Sequence, residues 1–197
     1  MSTSPTRRSS AVLVPVKAFN MAKRRLSFAL NEPDRAVLAR TMAETVIRAS
    51  QPLDVAVVCD DDTVAAWAAN LGALVLHEPG RGLNGAVGAG VEQLGAMGYA
   101  TVIVTHADLP LARSLAWVGE FDGISIVPDR RHDGTNVLCL PTNIDFRFSY
   151  GAGSFARHHA EAVRSGRAVR VAPDRALGAD IDVPADLRVL SRLPSPA

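Results

Sequence analysis

Short apolar runs alternate along this chain with longer segments whose hydrophobic residues recur at helical spacing. Runs rich in β-branched residues predict strands at 11–16, 55–59, 73–76, 100–104, 124–127, 134–140 and 169–171. The segments between them predict helices at 31–49, 60–70, 86–97, 110–118 and 154–165, and a final helix is expected after a strand-like crossing at 180–187. Strands that alternate with helices in this way indicate an α/β fold with three layers and a mostly parallel sheet.

Polar residues at the predicted helix starts have the character of caps. Asn31, followed by Pro33, is typical of a helix start. The three acids at 60–62 supply an N-cap and a negative first turn, which accounts for them better than a metal site does. Ser154 is expected to cap the helix that follows it. The closely spaced glycines of 85–90 fall inside a helical pattern and indicate close helix packing.

The length of 197 residues and the hydrophobic content of 48% suit one domain with a sizeable core. We predict a disordered tail at 1–10, a single domain at 11–192 and a loose tail at 193–197. No apolar stretch approaches the roughly 20 residues of a membrane span, and the run after Arg8 is too short for an export signal. The net charge of +1 gives no reason to expect a nucleic acid or a membrane as partner. Two cysteines within apolar runs fit a reducing cytoplasm.

Candidate chemistry follows the predicted strand at 100–104, because Asp108 comes four residues after its end. The carboxyl ends of the strands are where open α/β sheets bind their ligands. If Asp180 or Asp182 folds back beside Asp108, the carboxylates form an oxygen-rich site that suits Mg²⁺ and a substrate phosphate. The alternative interpretation of Asp108 is a solvated acid that precedes a helix-starting Pro110.

Positive charge is expected near the same edge of the sheet. Lys17 and the cations at 23–25 follow the first strand, and the glycine-rich stretch at 80–85 is large enough to accommodate a base. This set suits phosphoryl or nucleotidyl transfer, in which an enzyme mostly positions its substrates and neutralises developing charge. A Mg²⁺-dependent enzyme that acts on a nucleotide is therefore favoured over a non-catalytic nucleotide binder. A solvated loop is the alternative for the cations at 23–25.

Several short motifs then occur in one order along the chain. They are VPVK at 14–17, AKRRL at 22–26, GLN at 82–84, ADLP at 107–110, GTNVL at 134–138, GAGSFARH at 151–158 and DIDVPADL at 180–187. The ordered set resembles the phosphoenolpyruvate or 2-phospho-L-lactate guanylyltransferase family of coenzyme F-420 biosynthesis, over about residues 11–190. The resemblance implies a nucleotide-diphospho-sugar transferase (GT-A-like) fold. It also implies an enzyme that joins GTP to a small phosphorylated carboxylic acid and releases pyrophosphate.

The resemblance also implies roles for individual residues. Asp108, which is also assigned a catalytic role, would bind Mg²⁺ with the two other acids, Asp180 and Asp182. The acid substrate would bind at Thr135, Gly151 and Ser154. The catalytic cations Lys17, Lys23 and Arg25 would contact the GTP phosphates, and the guanine base would be read by Asn84, backed by Leu83. Thr135 as a plain strand residue and Ser154 as a plain helix cap are the structural alternatives.

Several alternatives stay open at this point. Phosphoenolpyruvate is favoured because the Ala- and Arg-rich composition is typical of a high-GC bacterium, but 2-phospho-L-lactate and 3-phospho-D-glycerate carry the same two anionic groups. A cytidylyl- or molybdenum-cofactor-type nucleotidyltransferase is disfavoured, because 17–25 lacks the glycine-rich loop of those enzymes. The sequence leaves the oligomeric state open, a homodimer included.

Overall fold

The computed structural model describes residues 8–192. Its strands are β1 (Arg8–Pro15), β2 (Asp54–Cys59), β3 (Leu74–His77), β4 (Tyr99–Thr105), β5 (Ile124–Pro128), β6 (Thr135–Pro141) and β7 (Val169–Val171). The helices are α1 (Glu32–Ala49), α2 (Asp62–Asn70), α3 (Gly82–Ala96) and α4 (Ser154–Arg164). All seven strands form one sheet in the order β3-β2-β1-β4-β6-β5-β7.

The sheet is mostly parallel, as predicted, with β6 as the exception. Strand β6 pairs antiparallel with both β4 and β5, and the other pairs are parallel. The amino end of β6 therefore lies at the same edge as the carboxyl end of β4. The register pairs Thr105 with Val137, and the His106 N–H donates to the Asn136 carbonyl at 2.9 Å. Thr135 is thereby placed close to the stretch that carries Asp108.

Helices cover both faces of the sheet, which confirms the three-layer prediction. Val12 and Val14 of β1 face a core with α1 and α2, whereas Leu13 faces a second core with α3 and α4. Helix α3 packs closely against β1: a Cβ on Gly90 would lie 2.8 Å from a Leu13 methyl carbon. The predicted packing role is therefore confirmed for Gly90.

Two of the predicted helix starts are confirmed by their hydrogen bonds. Asn31 Oδ1 accepts from the Asp34 N–H at 2.8 Å, and Asp61 Oδ1 accepts from the Val64 N–H at 3.0 Å. Both cysteines are buried free thiols. Within residues 8–192, no helix has the length and apolar character that a membrane crossing needs.

Other predicted boundaries are wrong. Strand β1 begins at Arg8, so the predicted N-terminal tail is too long by three residues, and 1–7 and 193–197 lie outside the described residues. The helix predicted at 110–118 is absent, and a short 3₁₀ turn occupies Ala116–Glu120 instead. Leu115 explains the difference: it is fully buried and its N–H donates to the Ala49 carbonyl at the end of α1. Tertiary contacts override the local helical pattern there.

Two further expectations differ at the helix termini. The N-cap of α4 is Gly153, with φ of 69°, and the predicted cap Ser154 is the first residue of the helix. A left-handed backbone suits glycine, which lacks a Cβ. The stretch at 180–187 does not form a strand-like crossing into an α-helix: 180–183 is irregular and a 3₁₀ helix runs over Pro184–Arg192.

Candidate active site

Three charged side chains from distant parts of the chain meet at the carboxyl edge of the sheet. Lys23 Nζ lies 2.5 Å from Asp108 Oδ2 and 3.0 Å from Asp182 Oδ1. The Ile181 N–H donates to the Asp108 carbonyl at 3.3 Å, which ties the 180–182 stretch beside the end of β4. Arg25 lies at the border of the group, with Nη1 4.0 Å from Asp182 Oδ2.

A small apolar cluster fixes the segments that carry these charges. Leu26, Met42 and Ile181 are almost fully buried and pack together. Leu26 follows the cations at 23–25, Met42 lies in α1, and Ile181 lies between Asp180 and Asp182. Lys23 adopts a left-handed backbone with φ of 53°, directly before the 3₁₀ turn Arg24–Leu26. The buried Leu26 therefore orients the loop so that Lys23 faces Asp108.

The ion pair keeps both of its members charged. Burial alone would lower the pKa of Lys23, but the charges of Asp108 and Asp182 outweigh it and the pKa is raised. Burial likewise opposes ionisation of Asp108, but the charges of Lys23 and His106 outweigh it and its pKa is lowered. Asp180 differs, because burial and then the charge of Asp108 raise its pKa. Carboxylates that raise one another's pKa in this way are stabilised in their charged form by a nearby cation.

A cavity of about 390 Å³ opens beside this group. Its lining includes six residues that the sequence assigned to the site: Lys17, Lys23, Arg25, Leu83, Asp108 and Asp182. A recess of about 60 Å³ adjoins it, and Lys17 and Leu83 border both spaces. The cavity is thus lined by cations and two carboxylates beside an apolar wall, which suits a ligand with phosphates and a flat apolar part.

The predicted acid-binding residues form a second, buried network. The Thr135 N–H donates to Ser154 Oγ at 3.0 Å, and the Thr135 hydroxyl lies 3.0 Å from His158 Nδ1. His158 Nε2 accepts from the Ser149 N–H at 2.9 Å, which places the ring proton on Nδ1. Thr135 and Ser154 are only 1% and 2% exposed. The Ser154 N–H donates to the Gly151 carbonyl at 3.0 Å, which joins this network to the exposed turn at Gly151, with φ of 115°.

The two residues assigned to the guanine base lie in the first turn of α3, whereas the sequence placed them in a loop. Leu83 lines the cavity. The Asn84 side chain has a structural partner, because its Oδ1 accepts from the Tyr150 N–H at 2.7 Å. Asn84 therefore links α3 to the turn before Gly151, and its contact with guanine stays a prediction.

Sequence reasoning missed the residues that support this site from behind. Asn136 Nδ2 donates to the Leu177 carbonyl at 2.9 Å and lies 3.4 Å from Asp180 Oδ1, so it positions Asp180. His158 is fully buried, and burial together with the Arg157 charge lowers its pKa to about 4. A polar residue inside an apolar strand run, such as Asn136, is the signal that points to such a role.

The fit of this site to Mg²⁺ depends on Asp108. Within 8–192, no three His, Cys, Asp or Glu side chains form a ready-made metal cluster, and the Lys23 ammonium lies between Asp108 and Asp182. Mg²⁺ usually takes one or two protein carboxylates and completes its shell with water and substrate phosphates, so a full protein cluster is not needed. Asp108 Oδ1 is buried without a hydrogen-bond partner in the described part of the chain. An unpaired carboxylate oxygen of this kind fits a divalent cation.

Solved structures show the class of fold. A candidate nucleotide-diphospho-sugar transferase from Desulfovibrio desulfuricans G20 aligns with a TM-score of 0.75 and 19% identity, covering 93% of this chain and 86% of that chain. A 4-diphosphocytidyl-2C-methyl-D-erythritol synthase aligns with a TM-score of 0.61 and 15% identity, covering 93% and 97%. The chain therefore has the nucleotide-diphospho-sugar transferase fold that the resemblance implied.

Sequence relatives narrow the class to a family. The family model described as "Guanylyl transferase CofC like" matches residues 10–191, and the chain belongs to that family. Phosphoenolpyruvate guanylyltransferases of Sphaerobacter thermophilus and Rubrobacter xylanophilus are 34% and 36% identical, covering 93% and 89% of this chain and 93% and 90% of their own lengths. The 2-phospho-L-lactate guanylyltransferase of Methanocaldococcus jannaschii is 30% identical, covering 89% and 80%.

Proposed function

We propose that this protein transfers the guanylyl group of GTP to a small phosphorylated acid, phosphoenolpyruvate being favoured, and releases pyrophosphate. Such a product would serve coenzyme F-420 biosynthesis. The observation that carries the proposal is the Asp108–Lys23–Asp182 group beside a cation-lined cavity, in a chain of the guanylyl transferase family. The names of the bacterial relatives support phosphoenolpyruvate as the acid.

The cations bind and orient the triphosphate of GTP. Lys17 and Arg25 are exposed and line the cavity, so their charges are available to phosphate oxygens. Lys23 is half-buried between its two carboxylates and adds a fixed positive charge at the edge of the cavity. Preorganised charges of this kind stabilise the transition state without reorganising during the reaction.

The nucleophile needs no general base. An oxygen of the acid's phosphate attacks the α-phosphorus of GTP, the new P–O–P bond forms, and the bond to the pyrophosphate oxygen breaks. The second pKa of a phosphomonoester is about 6, so this oxygen is already ionised at neutral pH. The protein therefore has to align two anions in line and neutralise the charge on the departing pyrophosphate.

Mg²⁺ would be held by Asp108 with Asp180 and Asp182. Bound there, it would neutralise charge on the α-phosphate and on pyrophosphate as a Lewis acid. In this structure the Lys23 ammonium binds Asp108 and Asp182, so these two carboxylates are already arranged around a positive charge. Asn136 holds Asp180 in place through its side-chain amide.

The acid substrate is proposed to bind at the turn that carries Gly151. We propose that Thr135, Gly151 and Ser154 contact its phosphate and carboxylate. Ser154 also links this turn to β6, because its Oγ accepts from the Thr135 N–H. Phosphoenolpyruvate, 2-phospho-L-lactate and 3-phospho-D-glycerate all offer one phosphate and one carboxylate. We propose that Leu83 packs against the guanine base and that Asn84 lies at its polar edge.

Pyrophosphate release from GTP tests the proposal. Each of the three acids is offered with Mg²⁺ in a separate reaction, and the enzyme that consumes the product is present so that the product does not accumulate. Release with GTP and phosphoenolpyruvate, but not with CTP or ATP, is the expected result. Release with CTP alone would instead indicate a cytidylyltransferase, and no release with any acid would indicate a non-catalytic nucleotide binder.

A further inference from the structure

Polar atoms that are buried without a hydrogen-bond partner collect at one place in this molecule. In the described part of the chain there are four such side-chain atoms: Arg35 Nε, His106 Nε2, Asp108 Oδ1 and Tyr150 Oη. Three of these four residues are neighbours, because the His106 ring centroid lies 5.3 Å from that of Tyr150 and His106 Nδ1 lies 3.8 Å from Asp108 Oδ1. Buried polar groups without a protein partner are satisfied by a ligand, an ion or a water molecule, so a cluster of them beside a site is a candidate ligand contact.

The proposed Mg²⁺ ion would contact the unpaired Oδ1 of Asp108, but no ligand proposed so far contacts the Tyr150 hydroxyl. Tyr150 is 8% exposed and comes directly before Gly151. Its ring lies between His106, which follows β4, and His158, whose ring centroid is 4.7 Å away. Tyr150 thus stands between the carboxylate group and the Gly151 turn.

The Tyr150 side chain is held in this position from several directions. Its N–H donates to Asn84 Oδ1 at 2.7 Å, and its ring stacks on Phe148 with a centroid distance of 6.3 Å. Burial raises the pKa of Tyr150, so the hydroxyl keeps its proton and acts as a donor. A fixed, buried donor that lacks an acceptor is complementary to an anionic oxygen, which forms stronger hydrogen bonds than a neutral one.

We infer that the Tyr150 hydroxyl donates a hydrogen bond to an anionic oxygen of the phosphorylated acid, and that Tyr150 is a substrate-binding residue. This role rests on the proposed function and extends it to a residue outside the sequence motifs. Tyr150 directly precedes Gly151, where the acid is proposed to bind. The hydroxyl should therefore affect the binding of the acid and not that of GTP.

The test compares Tyr150→Phe with Tyr99→Phe, which alters the only other tyrosine of the chain. Tyr99 Oη donates to Asp54 Oδ2 at 2.6 Å at the start of β4, the end of that strand opposite Asp108. Tyr150→Phe should raise the KM for the acid about tenfold, leave the KM for GTP unchanged and not lower the melting temperature. Tyr99→Phe should lower the melting temperature and leave both KM values unchanged.

The same variants are also compared by the rise in melting temperature that the acid causes. The acid should protect the wild type and Tyr99→Phe more than Tyr150→Phe. An unchanged acid KM and equal protection would overturn the role of Tyr150 while leaving the guanylyltransferase proposal standing. A wild type that neither releases pyrophosphate nor responds to any of the three acids would overturn both.

Discussion

The two halves of the candidate site are built in opposite ways. The half around Lys23 is charged and borders the cavity, and its contacts join ionised side chains from three distant segments. The half around Thr135 is neutral and buried, and hydroxyls, an imidazole and backbone N–H groups hold it together. The half around Lys23 thus provides the charges of the site, and the half around Thr135 stabilises the turn at Gly151.

This difference determines how each half responds to change. A charged group loses much of its function when one charge is removed, because the remaining buried charges are left uncompensated. A neutral hydrogen-bonded network loses about 0.5–1.5 kcal/mol per contact and mainly loses the position of what it supports. Substitutions in the first half should therefore lower turnover, and also stability where a charge is left unpaired. Those in the second half should affect stability and the affinity for the acid.

The largest effect is expected from Asp108→Asn. An amide binds Mg²⁺ poorly and cannot neutralise Lys23, so turnover should fall by about a thousandfold, which corresponds to several kcal/mol of lost charge stabilisation. Steady-state pyrophosphate release measures the fall. Asp145→Asn is the matched control, because Asp145 is almost fully exposed. Full activity of Asp108→Asn would remove Asp108 from the metal site.

The next effect is expected from Lys23→Met. The change leaves Asp108 and Asp182 facing each other without their cation, which should lower the free energy of unfolding by about 3 kcal/mol and turnover by about a hundredfold. Urea unfolding measures the first quantity. Lys17→Met is the control, because Lys17 is exposed and its loss should raise the KM for GTP without destabilising the fold. Equal stability of the two variants would contradict a structural ion pair at Lys23.

The charged half was the more predictable of the two from sequence. The sequence points to Asp108 because an acid within a few residues of the end of an apolar β-branched run lies at the ligand-binding edge of a parallel sheet. The fold class followed from the alternation of strand and helix patterns in the same way. The meeting of Asp182 with Lys23, by contrast, depends on the packing of Ile181 against Leu26, and a local pattern carries no information about such a distant pair.

The neutral half was less predictable because its residue types have many ordinary roles. Ser154 before a helical pattern predicted a cap, yet its hydroxyl accepts from a strand N–H nineteen positions away in sequence. His158 lies on a helix, and only the three-dimensional structure shows that both of its ring nitrogens are engaged. The antiparallel direction of β6, which brings Thr135 to the site, likewise depends on tertiary pairing.

A third prediction concerns pH and the neutral half. Burial, followed by the charge of Arg157, lowers the pKa of His158 from 6.5 to about 4, so between these values the unfolded chain binds a proton that the folded chain does not. The stability contributed by the neutral ring is present above pH 6.5, and roughly 3 kcal/mol of it should be lost as the pH falls to 4. Urea unfolding at several pH values measures this loss.

His158→Asn serves as the reference for that titration because it has no ring to protonate. Its stability should fall less than that of the wild type between pH 6.5 and 4.5, and the difference between the two curves isolates His158 from the other titrating groups. Parallel curves would contradict a buried neutral imidazole.

The smallest effect is expected from Asn84→Ala, which acts where the two halves meet. If Asn84 mainly holds the Tyr150 N–H, the loss of one hydrogen bond should raise the KM for the acid by about three- to tenfold and leave the KM for GTP unchanged. If it reads the guanine base, the KM for GTP should rise instead, and the preference for GTP over ITP, which lacks the 2-amino group, should change. A rise in the acid KM alone would assign Asn84 to the acid half, so that the first turn of α3 contributes to both sides of the site: Leu83 to the cavity wall and Asn84 to the turn at Gly151.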